Sequence, residues 1–350
     1  MLALGAALLA LMPMLVPPYY VELGTYALIA AMFALSLQLL VGCTGLISLG
    51  HGAFYGLGAY TVYLISPADA GRSIFITLPA SIFVAGSVAL AVGALSLRTK
   101  GFFFLMVTLA FGQMVFFVFH DTRIGGGTDG AYLTRPLLAL FDWELTLNRR
   151  QRPLAIYYVS LALLVAMYVG LALLLRTLFG RALEGIRINE HRMQALGFNV
   201  YRYKLAAFVI AGMLAGVAGH MWAMHRGFVN PELIGWHRSA EALLMILLGG
   251  LGTLHGPIIG AFAYMGLAEL PQVMADWKPM ARLFNALGMP DAGAFLQSLT
   301  ERKLLIEGVV ILLVVILLPK GLSGLRLPRW QRSSPAEKPT VAKAEGPPNG

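Results

Sequence analysis

Long apolar runs separated by short polar breaks dominate the chain. The clearest lie at 23–41, 74–97, 101–119, 154–175 and 205–222, each close to the roughly 20 residues a helix needs to cross about 30 Å of hydrocarbon. Three more follow at 240–254, 256–274 and 304–318, the first and last of them short. Two shorter runs, 2–16 and 52–65, read as tilted, re-entrant or extended into the interface. The pattern predicts an all-α polytopic membrane protein with eight to ten transmembrane helices. Residues 1–325 form one membrane domain, with external loops at 120–153 and 275–303 that are long enough for small caps burying Phe141, Trp143, Phe284 and Phe295. Residues 326–350 read as a disordered polar tail, rich in Pro, Gly and Ala.

Composition sharpens this picture. Hydrophobic residues make up 58% and charged residues 12% of 350, against about 25% charged in a soluble domain, so a water-soluble enzyme is excluded. The net charge of +9 points to anionic lipid and cytoplasmic partners, and no basic helix with interleaved aromatics suggests nucleic acid. Basic residues are dense in 176–204 and in the tail from Lys320, which favours both termini on the cytoplasmic side. The stretch before Glu22 is uncharged, lacks the basic start of a cleaved leader and reads as a retained membrane segment. A single cysteine, Cys43, rules out an internal disulfide or a cysteine-based zinc cluster.

Familiar catalytic signatures are missing. No Gly-x4-Gly-Lys-Ser/Thr string occurs to cradle a nucleotide, so the chain is not expected to hydrolyse ATP. Glu190-His191 lacks the second histidine of a zincin, and no Gly-x-Ser-x-Gly elbow is present. No catalytic residue, metal or cofactor is expected. The run Gly125-Gly126-Gly127-Thr128-Asp129-Gly130 reads as a tight turn. Glu241, Glu269 and Glu307 fall near span ends, where a charge reaches the interface, and Arg238 is placed to pair with Glu241. With no acid deep in a span, ion-coupled transport is disfavoured and a path lined by apolar and small side chains is expected.

Glycine patterns mark two further features. Gly212 with Gly216, and Gly252, Gly256 and Gly260 in succession, have close-packing spacing. Six glycines between Gly42 and Gly58 cost a continuous helix about 1 kcal/mol each, which predicts an unwound or re-entrant stretch at membrane depth. His51, Gly52, Gly56, Ala59 and Tyr60 are echoed by His255, Gly256, Gly260, Ala263 and Tyr264, a candidate internal repeat. Gly45, Ser48, Gly50, His51, Gly52 and Gly256 are therefore the candidates for a translocation path or gate.

Segment 176–204 places Leu178, Ala182, Leu183 and Ile186 on one helical face with charge opposite, and Gly197 offers an αL stop. It reads as a cytoplasmic helix, a turn and a return to the membrane, suited to docking a soluble partner.

Five blocks in order carry a resemblance: TGLISLGHGAFYGLGAY, TKGFFFLMVTLAFGQMVFFVF with GGGTDG, GRALEGIRINEHRMQALGFNVYRYKLAAFVIAGMLAGVAG, LLMILLGGLGTLHGPIIGA and LLPKGLSGL. Together, over roughly 25–325, they resemble the M-type permeases of branched-chain amino acid ATP-binding cassette importers. The resemblance implies a non-catalytic bacterial inner-membrane subunit that pairs with a related permease, two separate ATPase polypeptides and a periplasmic solute-binding protein. It further implies that Glu184, Gly185, Arg187, Glu190, Ala195, Leu196 and Gly197 lie in the segment that meets an ATPase. Close relatives serve urea or short amides; a stand-alone channel or ion-coupled carrier and a membrane-embedded enzyme are the competing classes.

Overall fold

A computed structural model describes residues 2–66, 72–133, 139–140, 143–144 and 151–276, with isolated positions at 308, 312, 321 and 322. Apart from Gly308 and Leu312, the expected span at 304–318 lies outside the described residues, as do the tail at 326–350 and Phe141, Phe284 and Phe295. The helices are α1 (Leu2–Leu15), α2 (Pro18–Thr44), α3 (His51–Ile65), α4 (Ile74–Ser96), α5 (Phe102–Asp121), α6 (Gln151–Arg176), α7 (Leu178–Ile188), α8 (Glu190–Ala195), α9 (Val200–Arg226), α10 (Trp236–Gly249) and α11 (Gly256–Asp276). Four two-residue strands, β1 (Ala131–Tyr132), β2 (Ala139–Leu140), β3 (Trp143–Glu144) and β4 (Phe228–Val229), and two 3-10 segments, Gly127–Asp129 and Pro231–Leu233, complete the described elements. The protein is all-α and polytopic. Among the described residues, five helices, α2, α4, α5, α6 and α9, are long and apolar enough to cross a membrane alone.

Two faces of the bundle can be told apart from the contacts. β1 pairs antiparallel with β4, which brings the chain after α5 and the chain after α9 to one end, here the ribbon face. At the opposite end, here the α8 face, Tyr201 of α9 donates to the Ala94 carbonyl of α4 over 2.9 Å, and Lys204 meets Glu190 of α8. The GGGTDG run closes as a turn with a 3-10 segment at Gly127–Asp129, as its composition predicts.

Helix α3 is the centre of the molecule, buried continuously from His51 to Val62 and packed on α9, α4, α5 and α10. Its glycines were expected to unwind it, but unwinding is confined to residues 45–50. Gly52, Gly56 and Gly58 instead let backbones approach. A Cβ on Gly52 would lie 2.7 Å from the Gly235 carbonyl oxygen, one on Gly56 2.9 Å from the Ile234 nitrogen, and one on Gly58 2.7 Å from the Gly216 Cα. Close packing offsets the helical cost of glycine. Gly212 and Gly216 likewise receive Ala89 and Ala85 of α4, and Gly260 the backbone of α10; Gly252 faces open space in the α10–α11 turn and is no packing glycine.

Depth is set by counting along the helices. Ser36, bonded to His51 over 2.9 Å, precedes the α2 end at Thr44 by about 12 Å at 1.5 Å per residue. Gly50 abuts Thr108 and Gly112 of α5, about 9–15 Å from the α5 start at the same face. Segment 45–50 therefore dips into the membrane interior, and α3 starts there.

Helix α10 starts at the same level: the Gly52 N–H donates to Ser239 Oγ over 2.7 Å. From this junction α3 runs to the ribbon face, where Tyr60 packs on Phe119 with ring centroids 4.3 Å apart. α10 runs the other way, and the turn after it accepts from Gln38 near the α2 end over 3.2 Å. With 15 and 14 residues, each is about 21–23 Å long and too short for the bilayer core. Two half-length helices thus meet N-terminus to N-terminus. Glu241 is near a helix end, as its sequence position suggested, but that end lies in the interior rather than at the interface.

Candidate functional site: the α7–α8 surface joined to an interior crossover

Segment 176–204 is shaped by its caps. Asn189 ends α7 and starts α8, its Oδ1 accepting from the Arg192 N–H over 2.9 Å. Gly197 has φ +86°, and a Cβ at this position would meet nothing within 4 Å, so backbone conformation alone requires glycine there. Asn199 then caps α9 through the Arg202 N–H at 3.2 Å. Ala182, Leu183 and Ile186 are buried, as the helical face predicts. Leu178 is not: as the first residue of α7 it precedes the seated turn and is 76% exposed.

The residues implied to meet an ATPase divide into two sets. Glu184, Ala195, Leu196 and Gly197 are exposed, beside outward-facing Leu178 and Ile188. Gly185 lies under Met193, whose Sδ would be 2.7 Å from a Cβ there. Glu190 turns inward, and Arg187, itself exposed, reaches back toward the bundle. The Glu190 carboxylate accepts from Lys204 Nζ at 2.8 Å and lies 3.7 Å from Lys100. Burial alone would raise its pKa, but the Lys204 bond and the charges of Lys204, Lys100 and His191 outweigh burial and hold it below the usual glutamate value. Arg187 donates through Nη1 to the Gly42 carbonyl in the last turn of α2, where a cation suits the helix dipole. A cavity of about 440 Å³, lined by Gly45, Leu46, Lys100, Arg187 and Glu190 among others, lies between these parts.

The interior crossover follows directly. Gly45 closes α2 in the left-handed region at φ +72°, and Ser48 and His51 are wholly buried. Ser36 donates its only hydroxyl proton to the Phe33 carbonyl at 2.7 Å, so it accepts from His51 Nε2–H and leaves a lone pair on Nδ1. That nitrogen and Ser48 Oγ have no partner among the described residues. Gly45, Ser48, Gly50, His51 and Gly52 are thus contiguous, joining the α8 face to the α3–α10 junction. Gly256 is not among them; it packs on Gly249 and Gly250 in the α10–α11 turn. The echoed motifs both open helices, yet His51 is buried and His255 exposed, so the shared pattern carries no shared side-chain chemistry.

The Arg238–Glu241 pair expected from the sequence forms, but the ring-lined group it belongs to was missed. Arg238 pairs with Glu241 at 3.0 Å and lies over the Trp222 ring at 5.2 Å, while Arg226 lies over Tyr26 at 5.3 Å. The available signal was a charged pair in a run too short to be a full span.

Residues 19–315 match the family model described as the permease component of branched-chain amino acid transport systems. The chain belongs to this family. LivM of Escherichia coli K12, a high-affinity branched-chain amino acid transport system permease protein, is 29% identical over 346 residues, covering 93% of this permease and 75% of LivM. LivH of the same strain, with the corresponding description, is 25% identical over 319 residues, covering 87% and 93% respectively. A chain of PsaBC from Streptococcus pneumoniae in complex with Fab aligns over 88% of the permease and 94% of its own length, with 16% identity and a TM-score of 0.43.

Proposed function

We propose that this permease forms half of the translocation path of an ATP-driven importer of branched-chain or other aliphatic amino acids. It works in the bacterial inner membrane, with both termini cytoplasmic, beside a related permease, two ATPase subunits and a periplasmic solute-binding protein. It is itself non-catalytic. One observation supports the reading beyond family membership: α7–α8 presents exposed Leu178, Ile188 and Leu196 outward while Arg187 reaches the α2 end. A partner that grips the outer side and moves as a rigid body would pull on α2, on segment 45–50 and hence on the α3–α10 junction. ATP hydrolysis at the partner thereby becomes displacement in the membrane interior.

The test is leucine uptake into proteoliposomes holding the full complex and loaded binding protein. Uptake should require ATP and vanish when the ATPase subunits are inactivated. Leucine accumulation by the permease alone along an ion gradient would overturn the proposal.

A further inference from the structure

We infer that Arg226, Tyr26, Trp222, Arg238 and Glu241 form a stepped way-station for the zwitterionic head group of an amino acid, leading from the ribbon face to the membrane interior. The inference rests on the importer reading above and names how that path handles its cargo. Arg226 is the last residue of α9, at the ribbon face. Arg238 belongs to the first turn of α10, and its Cβ would be 3.3 Å from a Cβ on Gly52, at the interior junction. Between them the rings are continuous: Tyr26 and Trp222 lie 5.4 Å apart, and Tyr55 lies 6.3 Å from Trp222.

Three physical facts favour a ligand over a purely structural pair. A charge at interior level is expensive and calls for water, protein or cargo around it, yet the side chains of Arg238 and Glu241 remain 31% and 35% exposed. Arginine in the first turn adds positive charge to the already positive end of a helix, the wrong end for stabilising α10, and the start of α3 abuts it through Gly52. Glu241 answers one of two guanidinium charges. A guanidinium carries five N–H donors, of which Arg238 commits one to Glu241, so donors remain for a second carboxylate. An amino acid carboxylate can pass from Arg226 to Arg238, with its ammonium on Glu241 and its aliphatic side chain against Trp222 and Tyr55.

The experiment uses the whole complex in proteoliposomes with leucine-loaded binding protein and reads leucine imported per ATP hydrolysed. Arg238→Gln with Glu241→Gln leaves no lone charge, so a structural pair would be replaced with little loss. The expected result is a fall of about tenfold or more in leucine per ATP, with assembly and stimulated ATPase activity retained. An unchanged ratio overturns the inference. If the double variant does not assemble, Arg226→Gln decides: a fall of about two- to fivefold supports it, and an unchanged ratio overturns it. Wild-type leucine uptake that needs no ATP would instead overturn the importer reading, and this inference with it.

Discussion

Replacing Arg187 with Gln severs the link between α7 and the end of α2 while leaving the outward surface of α7–α8 as it is. The last carbonyls of a helix have no intrahelical donor, and that of Gly42 receives its hydrogen bond from Arg187. A bond from a charged donor contributes about 1.5–3 kcal/mol, and the helix dipole adds about 0.3–1. Arg187 is exposed, so solvent brings the net to roughly 1–1.5 kcal/mol, or about five- to tenfold in the balance between linked and unlinked arrangements. The assay compares basal ATPase activity of the complex with its stimulation by loaded binding protein. Basal activity should persist, stimulation should fall by that factor, and Arg187→Lys should recover part of it because charge is kept while the second guanidinium nitrogen is lost. Full stimulation in the Gln variant, with the complex intact, would refute the linkage.

Three further outcomes are expected. Gly197→Ala should cost about 1 kcal/mol through backbone strain alone, and Gly197→Val more; thermal unfolding in detergent and ATPase binding would show both, and wild-type behaviour of the Val variant would make the loop a passive linker. Gly58→Ala should separate α3 from α9, because even a methyl group collides with the Gly216 backbone, and should lower thermal stability by about 2 kcal/mol or more; a neutral result contradicts the close approach. The Glu190 ion pairs depress its pKa in the folded state, so their stabilisation is complete above the unfolded value of about 4.3 and is lost as pH falls through the lower folded value. Melting temperatures of wild type and Glu190→Gln should therefore differ at neutral pH and converge only in the acid range below that value.

Local sequence carries local structure well here. The apolar runs at 74–97 and 101–119 became α4 and α5 within a few residues, because long apolar stretches have no alternative in lipid. The amphipathic turn pattern and Gly197 located α7 and the αL stop for the same reason: periodicity and φ are properties of a few neighbouring residues. Depth is not. Nothing in residues 45–60 says that Gly50 will rest on α5 or that Gly56 and Gly58 will admit Ile234 and Gly216, so the same glycines read equally as hinges. Arg238 and Glu241 looked peripheral because a helix end normally marks a membrane surface, and only the pairing of α3 with α10 places this one inside. Gly256 was grouped with the crossover by resemblance to Gly52, although the two glycines serve different helix contacts.

The junction of α3 and α10 also bears on how the polypeptide is made. Neither half-length helix is long enough to settle across a bilayer by itself, and α3 leaves the ribosome well before α9 and α10 exist. Its glycine-lined flanks must then wait for the surfaces that fill them, Gly216 on α9 and Gly235 before α10. Membrane integration of the first third of the chain is thus completed only by synthesis of the last, and a chain truncated after α6 would hold α3 against α4 and α5 but without α9, the helix it packs on most, and without α10.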